Sequence, residues 1–345
     1  MDNDATNQAT SHATSSAESR SAPEPIDPSG VVYAVLAYGA WGLFPLYWKM
    51  FGATPALEVL SHRMIWSMVF VMLLLVVQRR LPELWAVRRS PSALKLLILG
   101  AILLAGNWGL YIYGVNTERV VETSLGYFIN PLLTIVLGMV VLKERLNRVQ
   151  WMAVAIAVVG VGNFIWAFGQ VPWIAFGLAA SFGFYGLVRK LVALGFAMPA
   201  AFSSATRTAN AKHGQGTISP MIGLAIETLV IAPFMLLLVI YWEATGVGVF
   251  GSSTIMTLLC MGAGVVTSMP LLWFTNATKR LPLSMMGFCQ YIAPSLQLML
   301  GVFLYHEPFT RTHAVTFGCI WTALALYSIN SWYLTRRPKT LAPKE

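Results

Sequence analysis

Two ionisable residues stand in stretches of sequence that otherwise carry almost no charge. Arg63 lies in SHRMIWS and Glu227 in LAIETLV, 164 positions apart, each about two turns into an apolar run. An ionised group in hydrocarbon costs ~2.5–3.5 kcal/mol even on lenient insertion scales, so each needs a partner or a hydrated cavity. One reading makes them a counter-charge or a proton-responsive gate. The other lets each bond to carbonyls or hydroxyls at a helix junction. Polar and aromatic residues in other runs fit the first reading. Thr123, Tyr127, Asn130 and Thr134 recur at i, i+4, i+7 and i+11, one face of a helix. Asn107 and Tyr111 share a face one turn apart in NWGLYIY. Trp41, Trp108 and Trp273 lie deeper in their runs than Trp151, Trp173, Trp242 and Trp332, which suit interfacial anchoring. With Gln290 these residues form a candidate substrate lining of Trp41, Asn107, Trp108, Tyr111, Tyr127, Asn130, Trp273 and Gln290. Flat ring faces, a few hydrogen bonds and little net charge suit small amphipathic or aromatic molecules, or cations held over rings. Helix packing accounts equally well for any single aromatic residue.

Most catalytic chemistry lacks its parts. No aspartate follows Asp27, and the carboxylates at expected membrane depth are Glu122 and Glu227, with Glu58, Glu118, Glu144, Glu243 and Glu307 near the ends of apolar runs. A P-loop with its acid, an aspartyl protease pair, GxSxG and HExxH are all missing. His62, His306 and His313 stand apart from one another, and Cys260, Cys289 and Cys319 show no CxxC spacing, so we expect no metal site, no cofactor and no enzyme.

The elements that must position these side chains follow from composition. The chain has 345 residues, is 57% hydrophobic and only 11% charged, and has a mean hydropathy of +0.65. Soluble domains carry about a quarter charged residues, so an all-α membrane protein is expected. Residues 1–29, rich in Ser, Ala, Thr and Pro, read as a disordered cytoplasmic tail. Ten apolar runs follow, near 31–48, 57–78, 93–115, 120–142, 149–168, 172–194, 219–241, 254–276, 283–304 and 312–334. Runs of about twenty residues cross a ~30 Å hydrocarbon layer at ~1.5 Å per residue. With both termini cytoplasmic, nineteen of the 23 Lys and Arg residues fall on the inner side and only Lys49, Arg119 and Arg311 on the outer, Arg63 being inside a span.

Five spans per half would invert the second half relative to the first. TSLGYFINPLLTIVLGMVVLKE (123–144) returns as MGFCQYIAPSLQLMLGVFLYHE (286–307) at an offset of 163, which superimposes Pro131 on Pro294. Both prolines are candidate hinges, because each frees a backbone carbonyl. The stripe on the first copy maps onto Met286, Gln290, Ala293 and Gln297, and YGAWGL (38–43) is echoed by FGFYGL (182–187). Matched proline-bearing helices suggest a two-repeat transporter.

The runs YAVLAYGAWGLFPLYWK (33–49), NWGLYIYGVN (107–116), VVETSLGYFINPLL (120–133), LKERLNRVQW (142–151) and RLPLSMMGFCQYIAP (280–294) resemble the RarD proteins, of the EamA branch of the drug/metabolite transporter superfamily. The resemblance implies ten transmembrane helices as two inverted five-helix repeats around a central cavity. The first would occupy 30–170, and the second 171–335 with a cytoplasmic linker at 198–218, before a basic cytoplasmic tail at 336–345. It also implies an inner-membrane drug or metabolite exporter with a chloramphenicol label and a link to drug resistance. The linker looks longer than the family's short connection, and Ala323-Leu324 stands where the first repeat has Gly160-Val161. The expected function is gradient-driven, alternating-access export of small amphipathic metabolites or drugs. A lipid flippase and a facilitator without ion coupling are the alternatives. Expected partners are a small-molecule substrate and the lipid bilayer, not nucleic acid, with homodimerisation left open.

Overall fold

The computed structural model describes residues 27–117, 119–195, 218–306 and 309–336. The expected tail up to 26, the linker from 198 to 217, the tail from 337, and residues Glu118 and Glu307 lie outside that set. Among the described residues all regular structure is helical, and ten helices are long and apolar enough to cross a membrane. They are α1 (Pro28–Trp48), α2 (Ala56–Val77), α3 (Pro91–Asn116), α4 (Val120–Val141) and α5 (Arg148–Phe168) in the first half. The second half holds α6 (Trp173–Ala193), α7 (Pro220–Ala244), α8 (Thr254–Arg280), α9 (Leu283–Leu304) and α10 (Arg311–Arg336). A short helix, Leu81–Ala86, lies between α2 and α3.

Capping explains where several helices begin. Asp27, Asn147, Ser219 and Ser253 each accept a backbone N–H from the first turn of α1, α5, α7 and α8. At α6 and α9 the capping position is a proline, Pro172 or Pro282, which offers no side-chain acceptor. Both helices use a carboxylate from far along the chain. Glu122 accepts the Ile174 N–H at 2.6 Å, and Glu144 accepts those of Leu283 at 2.6 Å and Ser284 at 2.8 Å. Negative charge at a helix N-terminus is favoured by the dipole and the open donors. These two glutamates, read from sequence as candidates at depth and near an interface, tie α4 to α6 and the α4–α5 turn to α9.

The principal packings run between the halves. α1 lies against α8 and α9, α6 against α3 and α4, α2 against α7 and α8, and α3 against α7. α4 packs on α9 and α5 on α10. Each of these contacts maps onto itself or onto another in the set when α1–α5 are exchanged with α6–α10 in order. Close approach needs small residues. A Cβ on Gly287 would stand 2.7 Å from the Pro131 carbonyl oxygen, and one on Gly264 would stand 2.3 Å from the Trp66 backbone. The outward faces are apolar, with Val77, Phe303 and Trp166 among the most exposed side chains.

The two proline-bearing helices differ. α4 passes Pro131 as unbroken α-helix. α9, expected as one run, is helical over Leu283–Gln290, turns at Tyr291, resumes over Ile292–Met299 and widens to a π-turn over Leu300–Leu304. Pro294 lacks the N–H that would hold the Gln290 carbonyl across this break.

Candidate functional site

Arg63 sits in α2 on the side facing α1, α3 and α8. Its Nε donates to Thr267 Oγ1 of α8 at 3.1 Å. The guanidinium lies 4.5 Å from the Trp48 ring centroid and 5.6 Å from that of Trp108, with Phe44 at 6.0 Å. Contacts of this kind contribute ~0.5–2 kcal/mol each, more as water is excluded. Among the described residues no carboxylate lies within ion-pair distance of Arg63, and its terminal nitrogens make no hydrogen bond. Tyr111 and Tyr127 stand within electrostatic reach, their rings 6.3 Å apart. Tyr127 is 41% exposed.

A second group forms where α1, α6 and α8 meet. Trp41 packs edge-on to Tyr38 at 5.3 Å and Phe182 at 5.7 Å, and Phe274 lies 5.6 Å from Trp41 and 5.9 Å from Tyr185. The four α1 and α6 residues are the positions that are aromatic in both YGAWGL and FGFYGL, now gathered around one phenylalanine. Trp273 is not part of this group; it is partly buried against the core one position away.

The polar stripe of α4 continues onto α9. Gln290 Nε2 donates to Thr134 Oγ1 at 3.2 Å, and Thr134 Oγ1 donates to Asn130 Oδ1 at 3.4 Å. The Tyr38 hydroxyl and the Gln290 side chain are buried beside one another, within reach of a mutual hydrogen bond. Gln297, the stripe's counterpart of Thr134, donates to the Trp41 carbonyl at 3.2 Å. Asn107 is committed elsewhere: its amide donates to Leu178 O at 3.0 Å and Ser181 Oγ at 2.9 Å, joining α3 to α6.

Glu227 is completely buried and does not meet Arg63. Its Oε1 lies 2.9 Å from Arg189 Nη1, and the Tyr185 hydroxyl donates to Oε2 at 3.2 Å. Arg189 also donates to Pro220 O at 3.2 Å. The charge count by chain position grouped Arg189 and Lys190 with the inner loops, yet both are buried within α6, where Lys190 Nζ donates to Leu281 O at 2.6 Å. A small gap of about 10 Å³, room for about one water, lies between the two charged centres, lined by Trp108 and Thr267, which contact Arg63, and by Glu227 and Thr228.

The sequence reading did not select Phe44, Trp48, Thr267, Tyr38, Phe182, Tyr185, Phe274 or Arg189 for the site. The echoed hexapeptides held a signal for three of them.

Ten helices long and apolar enough to span a bilayer, enclosing polar and aromatic side chains, define a multi-pass membrane protein, and the comparisons with known proteins make it a transporter. The EamA-like transporter family profile matches residues 28–166. Protein RarD of Escherichia coli (strain K12) is 40% identical over 309 residues, covering 89% of this chain and 96% of its own. The transporter YojE of Bacillus subtilis (strain 168) is 41% identical over 315 residues, 90% and 97% of the two chains. The chain belongs to the RarD proteins of the EamA family. A more distant relative, the chloramphenicol-sensitive protein RarD of Pseudomonas aeruginosa, is 25% identical over 90% of this chain and 97% of its own. One crystallised chain aligns with a TM-score of 0.63 at 18% identity, covering 88% of this chain and 99% of that one, a likeness of fold alone.

Proposed function

We propose that this protein is an alternating-access permease that exports small amphipathic molecules carrying an electron-rich or anionic group on a flat apolar body. Arg63 carries the reading. A guanidinium without a carboxylate partner, held among Trp48, Trp108 and Phe44, keeps donors free for a ligand that would enter when the helices move apart. Because Arg63 already occupies those ring faces, a cationic substrate would meet a like charge there, so the anionic or nitro-bearing end of a ligand fits better than an ammonium. The chloramphenicol-sensitive relative makes a nitroaromatic amphenicol a sensible first probe.

Two inverted five-helix repeats, 30–170 and 171–335, are supported by the exchange symmetry of the helix packings and by a family match that ends at residue 166, near the close of α5. In this scheme α9, with its break and π-turn, supplies the flexible element. We place the protein in the inner membrane with both termini cytoplasmic, from the Lys and Arg distribution. A gradient drives export, since the sequence carries no ATP-binding element. Arg63 and Glu227 keep the proposed roles of counter-charge and gate.

Efflux of a labelled nitroaromatic acid and of an amphenicol from proteoliposomes tests the site. Arg63→Gln should lower efflux at least tenfold, and Arg63→Lys should restore part of it. Equal transport by wild type and Arg63→Gln would refute the assignment. Collapse of the pH gradient distinguishes ion coupling from facilitation.

A further inference from the structure

A second polar cluster lies at the other end of α2 from the α2–α3 connection. Glu58 and His62 are four residues apart on one face of α2, and Glu243 comes from the last turn of α7. One donor atom from each lies within 4.8 Å of the other two. Glu58 is 1% exposed and His62 2% exposed. Glu58 Oε1 accepts the Val249 N–H at 2.7 Å, while Glu58 Oε2 and His62 Nε2 are buried without any partner. The α7–α8 loop closes over them, with Phe250 stacked on the His62 ring at 5.4 Å. The sequence reading treated His62 as isolated because Glu243 is distant along the chain.

Orphaned buried donors and acceptors call for an explanation, and two in one cluster call for a shared one. We propose that Glu58, His62 and Glu243 form a binding site for a first-row divalent transition metal of the Zn²⁺ class. Two carboxylates and one imidazole are three ligands of the type Zn²⁺ takes at ~2.0–2.2 Å, leaving a fourth position for water. Such bond lengths place donors roughly 3.3–3.6 Å apart, so atoms already within 4.8 Å of one another need only a small side-chain adjustment, which the exposed Glu243 is free to make. The Val249 N–H on Glu58 acts as the outer-shell bond that orients a ligand. Because the ligands come from α2 and α7, a bound ion fastens two helices of opposite halves. His62 turns towards the loop and Arg63 towards Trp48 and Trp108, so this site does not depend on the substrate reading of Arg63.

The test uses tag-free, chelator-stripped full-length protein in detergent, titrated with ZnCl₂ by calorimetry and by thermal unfolding. One Zn²⁺ per chain and a raised Tm are expected. Glu243→Gln changes an exposed position, keeps the buried pair intact, and should weaken Zn²⁺ binding ~100-fold or more, beyond the cost of losing an outer-shell partner. His62→Gln should do the same while leaving Mg²⁺ without effect. No saturable Zn²⁺ binding, equal affinity in Glu243→Gln and wild type, or a Tm response to Mg²⁺ as large as that to Zn²⁺ would overturn the assignment, since imidazole is a poor Mg²⁺ ligand.

Discussion

Glu227 and Arg189 allow a prediction whose sign distinguishes two views of intramembrane charge. Glu227→Gln removes one partner of a pair held at 2.9 Å with both side chains at most 2% exposed. Arg189 would keep its bond to Pro220 O and gain only a neutral amide, so its charge would be left uncompensated. Breaking a buried pair in this way costs about 3–5 kcal/mol, most of it desolvation of the stranded ion. The Tyr185 hydroxyl would also face a weaker acceptor, at a cost of about 1 kcal/mol. Removing both charges together, in Glu227→Gln/Arg189→Met, strands nothing, and substitution of whole buried pairs by apolar groups is commonly neutral or stabilising by about 1–4 kcal/mol. Thermal unfolding of purified protein should therefore show a large loss for Glu227→Gln, a loss for Arg189→Met, and recovery in the double variant. The pH profile of efflux is read on the double variant, where folding is not limiting. A Glu227→Gln protein as stable as wild type would refute the reasoning, as would a double variant weaker than both single ones.

Further outcomes follow from single contacts. Gly287→Val should destabilise the α4–α9 crossing by about 1–3 kcal/mol or more, because even its Cβ would meet the Pro131 carbonyl and Ile135, whereas Gly39→Ala meets open space and should leave Tm unchanged. Glu144→Gln should cost roughly 1–3 kcal/mol, since one amide oxygen cannot serve both the Leu283 and Ser284 N–H groups; equal stability by SDS unfolding would show that the cap is dispensable.

The helices were legible because about twenty apolar residues in a row have few other uses. Helix irregularity was not legible in the same way: the break at Tyr291 occurs within a run that is still apolar enough to span, with a mean hydropathy of 1.3 against 1.8 for its unbroken partner around Pro131. Trp41, Arg63 and Gln290 were selected as candidates by type and depth, and the structure places them in aromatic or polar clusters. Phe274 was missed beside Trp273 because aromatic character gives no direction, and only packing shows which neighbour faces α1. The burial of Arg189 was not legible for a different reason: counting Lys and Arg by side says nothing of depth, and it cannot register that Glu227, 38 positions later, pairs with that arginine inside the protein.

In a low-dielectric slab each charge needs a compensating group, and this lets structural charges be separated from available ones. Glu122 is occupied by the Ile174 N–H and by Arg119 Nη2 at 2.5 Å, Glu144 by two N–H groups of α9, and Glu227 by Arg189 and Tyr185. Glu122 and Glu144 join elements of different halves, and Glu227 joins α7 to α6 within the second, so each has a structural role whether or not Glu227 also serves as the proposed gate. Arg63 differs because its neighbours are rings and one hydroxyl, which soften its desolvation without neutralising it. A folded protein gains no stability from leaving such a charge uncompensated, and replacing it by an apolar residue would relieve the cost. Under the function proposed above, a compensating group would arrive with the ligand.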